Sequence, residues 1–305
     1  MSKLSNQDNL QQGLVVSRFG NQVEIEDTEG NIFRCHIRRA LQDIVSGDKV
    51  LWQEEFSSNK KVNGVVTNIL ERHSVLQRLI RYEGLKSVAA NLDRVFVVAA
   101  PEPAFSNRIL DRYLVAIELA NIEVVILLNK SDRLDDYPDL LNTLKIYSDM
   151  GYTVIPVSAY NQQGFDELKI ALAQHTSVFV GQSGVGKSSL VNALLPGVET
   201  SVSELSETSG LGTHTTTVSK LYHLPSGGQL IDSPGIREFA LGHIDKPELE
   251  NGFREFHDLL GYCKFRNCRH VSEPGCAVLL AAKNGEISAL RLKSYHYLYH
   301  ETDED

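Results

Sequence analysis

The feature that most constrains this chain is an eight-residue run, Gly181-Gln182-Ser183-Gly184-Val185-Gly186-Lys187-Ser188. It fits the pattern GxxxxGK[ST]. An apolar stretch, residues 177–180, precedes it, and a helix-patterned stretch, residues 187–195, follows it. In that strand–loop–helix setting the glycines let backbone N–H groups wrap phosphate oxygens, and the following helix points its positive end at them. Lys187 would meet the β- and γ-phosphates, and Ser188 would hold Mg²⁺. A strand that feeds a helix through such a loop must sit in a sheet flanked by helices. The alternative is a chance glycine-rich turn, which the strand and helix on either side argue against.

The rest of the middle region agrees. Apolar strand patterns at 94–100, 123–128, 153–157, 177–180, 218–224 and 229–231 alternate with helical patterns at 107–121, 138–150, 164–174 and 187–195. Near-continuous apolar strands between helices predict a buried, mostly parallel sheet. Upstream the pattern differs. Short alternating strands are predicted at 14–19, 22–26, 32–37, 49–54 and 62–69, with turn signals at Gly20-Asn21 and Glu29-Gly30-Asn31. A short helix is expected at 40–45, between the third and fourth strands. Five strands with that insertion suggest a small OB-type barrel. Residues 73–92 read as a connector.

The nucleotide base is chosen by two further motifs. Asn129-Lys130-Ser131-Asp132 follows the strand at 123–128, at the sheet edge where ligands bind. Ionised Asp132 only accepts hydrogen bonds. It can take both the N1–H and the exocyclic amine of guanine, whereas adenine would leave it unpaired. Asn129 and Lys130 are expected to brace the phosphate loop and cover the base. Val157-Ser158-Ala159 ends the next strand, where the Ala159 N–H could reach guanine O6. Either motif alone could be a helix cap; both at strand ends point to GTP and GDP and away from an ATP-using kinase.

Asp232-Ser233-Pro234-Gly235 follows the strand at 229–231. Asp232 would hold a Mg²⁺ water, and the Gly235 N–H would sense the γ-phosphate. The polar segment 206–217 fits a switch loop ordered by that phosphate. Thr215 and Thr216 are both candidate Mg²⁺ ligands, and their register stays open. Ile236 stands where a water-orienting glutamine is expected, and it cannot orient water. His214 is the ionisable neighbour that could do so; a solvated or partner-contacting histidine is the other reading.

The order of these motifs is rotated. The base-binding motifs precede the phosphate loop, yet the strand–helix count is complete. A circular permutation that joins the ordinary chain ends accounts for this. It puts the exit just after Gly235, so the switch runs directly into the next module.

That module carries Cys263, Cys268, His270 and Cys276, a donor set for one closed, four-coordinate structural Zn²⁺. Reduced core cysteines beside a surface histidine are the alternative. Residues 251–300 hold seven Lys/Arg against four Asp/Glu, in a chain of net charge −9. The whole chain is thus no general polyanion binder, but Lys264, Phe265, Arg266 and Arg269 suit local phosphate contact with aromatic help. A solvated basic face is the plainer alternative. Apolar runs fall well short of the ~20 residues of a membrane span, and no signal peptide is evident. Cys35 stands alone, so disulfides are not expected and a reducing cytoplasm is.

With OB barrel, NKSD, VSA, GQSGVGKSS (ending at Ser189), GTHTT, DSPG and the three-cysteine, one-histidine knuckle together, the chain resembles the ribosome small-subunit-dependent GTPase A family (RsgA, or YjeQ). The likeness covers nearly the whole chain. It implies three parts: an OB-fold RNA-binding domain (1–72), a circularly permuted P-loop GTPase domain (73–245) and a mostly helical zinc-binding domain (246–305). It implies GTP hydrolysis stimulated by the small ribosomal subunit, late maturation of that subunit, and rRNA contact through the outer domains. The family's water-activating histidine maps to His214. A monomer is expected.

Overall fold

The computed structural model describes residues 10–55, 63–80, 84–198, 219–232 and 246–301. They fall into two compact units. The first takes the described residues of Met1–Arg94, Lys169–Phe179 and Ser188–Glu238; the second takes those of Val95–Leu168, Val180–Lys187 and Phe239–Asp305.

The first unit opens with five strands: β1 (Gln11–Phe19), β2 (Gln22–Glu26), β3 (Ile32–Ile37), β4 (Lys49–Glu54) and β5 (Gly64–Ile69). β1, β2 and β3 form an antiparallel meander, β3 runs parallel to β5, and β4 bridges β5 back to β1. The circuit closes into the expected five-stranded barrel. Alternation decides what is inside. Val23 and Ile25 are fully buried, whereas Gln22, Glu24 and Glu26 are not. With Val15, Cys35, Val50, Val66 and Trp52 they make the barrel's core.

Two expectations fail here. The helix expected at 40–45 is a single 3-10 turn, Arg39–Leu41. Its continuation is taken apart by polar partners. The buried Asp48 carboxylate accepts the Val45 N–H at 2.8 Å, and Arg72 clamps Asp48 and Asp43 from outside. Side-chain bonds to the backbone compete with helical ones, and here they win. The stretch read as a connector contains a hairpin, β6 (Val75–Ile80) paired with β7 (Gly84–Ala90). Its strands do not alternate strictly between apolar and polar residues, and the fully buried ones among the described side chains are Leu76, Ala89 and Ala90 at the base.

The same unit contains β11 (Thr176–Val180), β12 (Lys220–His223) and β13 (Gln229–Asp232). β11 and β13 are parallel, and β12 is antiparallel to β13. β12 also pairs with β1 of the barrel, Ser17 opposite Lys220, so an edge strand is covered by the barrel.

In the second unit, β8 (Arg94–Ala99), β9 (Glu123–Leu128) and β10 (Thr153–Pro156) lie in the order β10–β9–β8, with β9 and β10 parallel. Val124–Leu128 is almost completely buried, as a strand covered on both faces requires. Its helices are α1 (Asn107–Leu119), α2 (Pro138–Asp149) and the first half of α3 (Phe165–Leu172), and α4 (Lys187–Leu194), which follows the phosphate loop in the chain, belongs to the first unit from Ser188 on. Ser106 caps α1 by accepting the Ile109 N–H, and Pro138 begins α2 with its ring where no N–H is needed.

The carboxyl-terminal part adds α5 (Lys246–Leu249), α6 (Ala277–Asn284) and α7 (Ala289–Glu301). Their core joins Phe253, Phe256, Val278, Tyr295 and Leu298 to Val115 of α1. Beside it Arg291 is fully buried. Its guanidinium reaches Asp111 of α1 at 2.5 Å and Glu255 at 2.7 Å, and Tyr147 of α2 donates to Asp111. Arg291 therefore belongs to no basic surface, although it is one of the seven cationic residues of this region. Removing one partner of such a buried pair costs about 3–5 kcal/mol. Among the described residues no helix is long and apolar enough to cross a membrane.

Candidate functional site

The strand ends of the second unit bring the base motifs and the phosphate loop together. Asn129 emerges at the end of β9 and is 2% exposed. Its Nδ2 donates to the Val185 carbonyl at 2.8 Å, and its Oδ1 accepts the Ala159 N–H at 3.2 Å. One amide side chain thus ties NKSD to the phosphate loop and to the Ser158-Ala159 turn. Lys130 takes a left-handed backbone conformation, φ +61°, and its ammonium donates to the Gly184 carbonyl at 3.0 Å and the Glu102 carbonyl at 2.7 Å. Ser158 is fully buried and donates to Asp132 Oδ1 at 2.5 Å, which orients that exposed carboxylate. The Ser158 hydroxyl in turn accepts the N–H groups of Tyr160 and Asn161.

The phosphate loop needs its glycines at two places. Gly181 sits at φ +139°, and a Cβ there would collide with the Val98 carbonyl; Gly186 sits at φ +95°, and a Cβ would strike the Asn129 amide. Lys187 is 7% exposed, and its ammonium donates to the carbonyls of Gly181 and Gln182 at 2.6 and 2.7 Å. Val185 is buried, while Ser183 and Gly184 are exposed. Ser188 and Ser189 lie in the first turn of α4. Asp232 is the last residue of β13, opposite Lys220. His214, Thr215, Thr216 and Gly235, with the segment 206–217, lie outside the described residues.

Glu102 is a bracing residue that no motif announces. Besides the bond from its carbonyl to Lys130, its carboxylate pairs with Arg133 and accepts from Tyr137 at 2.6 Å. Hydrogen bonds from Tyr137 and then Arg133 hold that carboxyl below its ordinary range. Only spatial proximity reveals it, because Glu102 is 28 residues from Lys130.

The second constellation lies in the carboxyl-terminal part. The donor atoms of Cys263, Cys268, His270 and Cys276 all lie within 4.8 Å of one another. Cys263 Sγ is 3.5 Å from His270 Nδ1 and 3.9 Å from Cys276 Sγ, and His270 Nδ1 is 3.2 Å from Cys276 Sγ. Bonds of about 2.3 Å to a tetrahedral zinc would put sulfur atoms about 3.8 Å apart, so the cluster is compatible with that ion. The outer bonds fit as well. His270 Nε2 contacts Glu250 Oε2 at 2.8 Å, and the N–H groups of Ala277 and Leu279 point at Cys263 and Cys276 sulfur. A carboxylate on the far nitrogen fixes the ring for metal ligation. Burial, then the neighbouring thiols, push the Cys268 thiol up to about 12, so a cation must displace protons to bind. The turn itself is stapled by Glu273, whose carboxylate accepts the N–H groups of Arg269, Val271 and Ser272. Although desolvation opposes it, those bonds hold its pKa at about 2. Lys264, Phe265, Arg266 and Arg269 are all exposed around the knuckle.

Residues 69–242 match the family model described as RsgA GTPase. The chain belongs to the RsgA GTPase family. It is accordingly a GTP hydrolase. The small ribosomal subunit biogenesis GTPase RsgA of Haemophilus influenzae (strain 86-028NP) is 49% identical over 290 residues, 94% of this chain and 84% of that protein. The protein of the same name from Ectopseudomonas mendocina (strain ymp) is 50% identical over 301 residues, 97% and 87% of the two chains. Among solved RsgA-like structures, YjeQ from Thermotoga maritima superposes with a TM-score of 0.78 at 34% identity, covering 96% of this chain and 98% of that one. YloQ, described as a circularly permuted GTPase, gives 0.75 at 28% identity, covering 99% and 98%. The rotated motif order is thus a property this RsgA-family chain shares with a solved relative of the same fold.

Proposed function

We propose that this GTPase binds the small ribosomal subunit, acts late in that subunit's maturation, and leaves it on hydrolysing GTP to GDP and phosphate. The observation that carries the nucleotide half is Asn129, whose two amide ends join the base motifs to the phosphate loop. The subunit half rests on relatives about half identical over nearly the whole chain, whose names state small-subunit biogenesis.

In this reading Asp132, oriented by Ser158, accepts from guanine, and the Ala159 N–H is shared between Asn129 and guanine O6. Gly181 to Lys187 present backbone N–H groups to the phosphates, and the Lys187 ammonium leaves the loop carbonyls for phosphate oxygens. Ser188, Asp232 and Thr215 or Thr216 would hold Mg²⁺, which neutralises developing charge on the β- and γ-phosphate oxygens when bound. Gly235 reports the γ-phosphate. His214 holds the proton of the attacking water, since Ile236 cannot. The knuckle would hold one structural Zn²⁺, supplying rigidity and no reaction step. The barrel (1–72) and the zinc module (246–305) flank the GTPase domain (73–245) and contact rRNA. The protein works as a cytoplasmic monomer.

Turnover with and without purified small subunits tests this. Stimulation by subunits is expected, and His214→Ala should remove most of it, about 10²–10⁴-fold, with GTP affinity unchanged. Equal turnover with and without subunits would leave GTP as a mere on/off ligand and overturn the proposal. Weak subunit binding by His214→Ala with unchanged basal turnover would reassign that residue to partner contact.

A further inference from the structure

The first turn of α1 and the exposed side of α7 enclose an open groove of about 800 Å³. Its lining includes Phe105, Arg108, Lys293, His296, Tyr297 and His300, and contains no Asp or Glu. In a chain of net charge −9 that composition is selective. Neighbouring carboxylates are already engaged: Glu301 pairs with Arg112, and Asp111 and Glu255 are buried against Arg291. Arg108 and Lys293 are exposed, and neither is ion-paired to a described residue. The central carbon of the Arg108 guanidinium lies over the Tyr297 ring, 3.2 Å from its centroid. The amino ends of α1 and α7, at Asn107 and Ala289, also border the groove and add positive potential.

We propose that this groove is a docking site for a single-stranded segment of RNA, a surface separate from the knuckle's Lys264, Arg266 and Arg269. Lys293, the N–H edge of Arg108 and the two helix ends face the phosphates, and the Phe105 ring and the Arg108 guanidinium stacked on Tyr297 offer faces for unstacked bases. Alternating cations and aromatic faces is what sequence-tolerant single-strand binding requires. An acidic protein segment would use the cations and leave the rings without a role. The groove is also several times larger than one phosphate needs. The proposal rests on the small-subunit reading above for its RNA, and the following measurements separate the two.

Three full-length variants are compared with wild type: Arg108→Ala with Lys293→Ala, Tyr297→Leu and Tyr297→Phe. Binding is measured to purified small subunits and to protein-free rRNA extracted from them, across a salt series. The double variant should bind both targets at least fivefold more weakly. Its log–log salt slope should be shallower by about 1.4, from two phosphate contacts of about 0.7 each on a single strand. Tyr297→Leu should weaken binding about fivefold or more, and Tyr297→Phe should stay within twofold, because stacking needs the ring and not the hydroxyl. Basal GTP turnover without subunits should hold in all three, which reports an intact fold. Unchanged affinity and slope in the double variant on both targets would overturn the proposal. Weaker subunit binding with unchanged rRNA binding would overturn it too, in favour of a ribosomal protein as the contact. If wild type binds no subunits while the rRNA losses still appear, the subunit reading fails and the groove stands.

Discussion

The nucleotide cradle and the four-ligand knuckle reach order by opposite routes. The cradle collects Glu102, Asn129, Lys130, Ser158 and the loop from Gly181 to Lys187, segments far apart in the chain. Their bonds run mostly to backbone carbonyls and N–H groups at strand ends. A buried sheet holds those strand ends, and the sheet positions these described residues of the cradle. The knuckle draws its donors from Cys263 to Cys276 alone, a stretch of turns set against the carboxyl-terminal core, with Cys276 buried in that core and Cys263 and Cys268 packed against it. It has local bonds such as those to Glu273, and the proposed zinc would be its strongest organiser, because structural zinc binding contributes folding energy in a segment this short. A site built by packing should therefore tolerate loss of one contact, and a site built by a metal should not.

The largest expected effect is on the knuckle. Cys268→Ser should release the metal, whose apparent binding is worth about 10–16 kcal/mol in comparable small sites. Elemental analysis should fall from about one zinc per chain to none, and hydrogen exchange should rise across the knuckle. GTP affinity should stay within twofold. If it falls in parallel, the two regions are coupled and the contrast drawn above is wrong.

Next comes Lys187→Ala, which removes the cation proposed to meet developing phosphate charge. Turnover should drop about 10²–10³-fold, as loss of one preorganised electrostatic donor does. The fold and the zinc content should be unaffected. Wild-type turnover would sink the phosphate-loop assignment.

Asp132→Asn should be smaller. It replaces one acceptor oxygen with a donor amine and so loses a hydrogen bond to a charged group, worth about 1.5–3 kcal/mol, roughly ten- to hundredfold in GTP affinity. Xanthine nucleotides should gain affinity, because their base offers an acceptor where guanine offers its amine. No loss for GTP and no gain for XTP would remove Asp132 from base recognition.

The smallest effect is expected from Glu250→Ala. Glu250 only orients the His270 ring, and its side chain is 30% exposed. Loss of such an outer partner costs about tenfold in metal affinity at the low end of its range. Competition with a chromophoric chelator reads this directly. An unchanged zinc affinity would mean that the turn itself, and not Glu250, sets the ring.

Some of this was legible before any coordinates. The barrel strands β2, β3 and β4 match their expected limits, because alternation with a period of two reports a half-buried strand directly. The same rule failed for β6 and β7, whose apolar and polar residues do not alternate strictly. The helix expected at 40–45 failed for another reason. Its residues are helix-compatible, but the carboxylate of Asp48 and the guanidinium of Arg72, 24 residues apart, claim the groups that a helix would use.

By itself, then, the sequence determined the family and singled out the candidate chemistry: the motif residues of the cradle, the four proposed knuckle ligands, and the rotated order that marks a permuted GTPase. Each is a short-range pattern, in which spacing alone states what a strand end or a turn can present. Only the tertiary structure decided how those pieces are held. The Asn129 amide spans three motifs, Glu102 and Glu250 brace from outside any motif, and Arg291 turns inward to Asp111 where a count of charges would place it on the surface. The groove at Arg108 and Lys293 arises in the same way, from helices far apart in the chain. The physical reason is common to all of them. Hydrogen bonds, ion pairs and stacking act over a few ångströms of space, and chain connectivity constrains that distance only for residues a few positions apart.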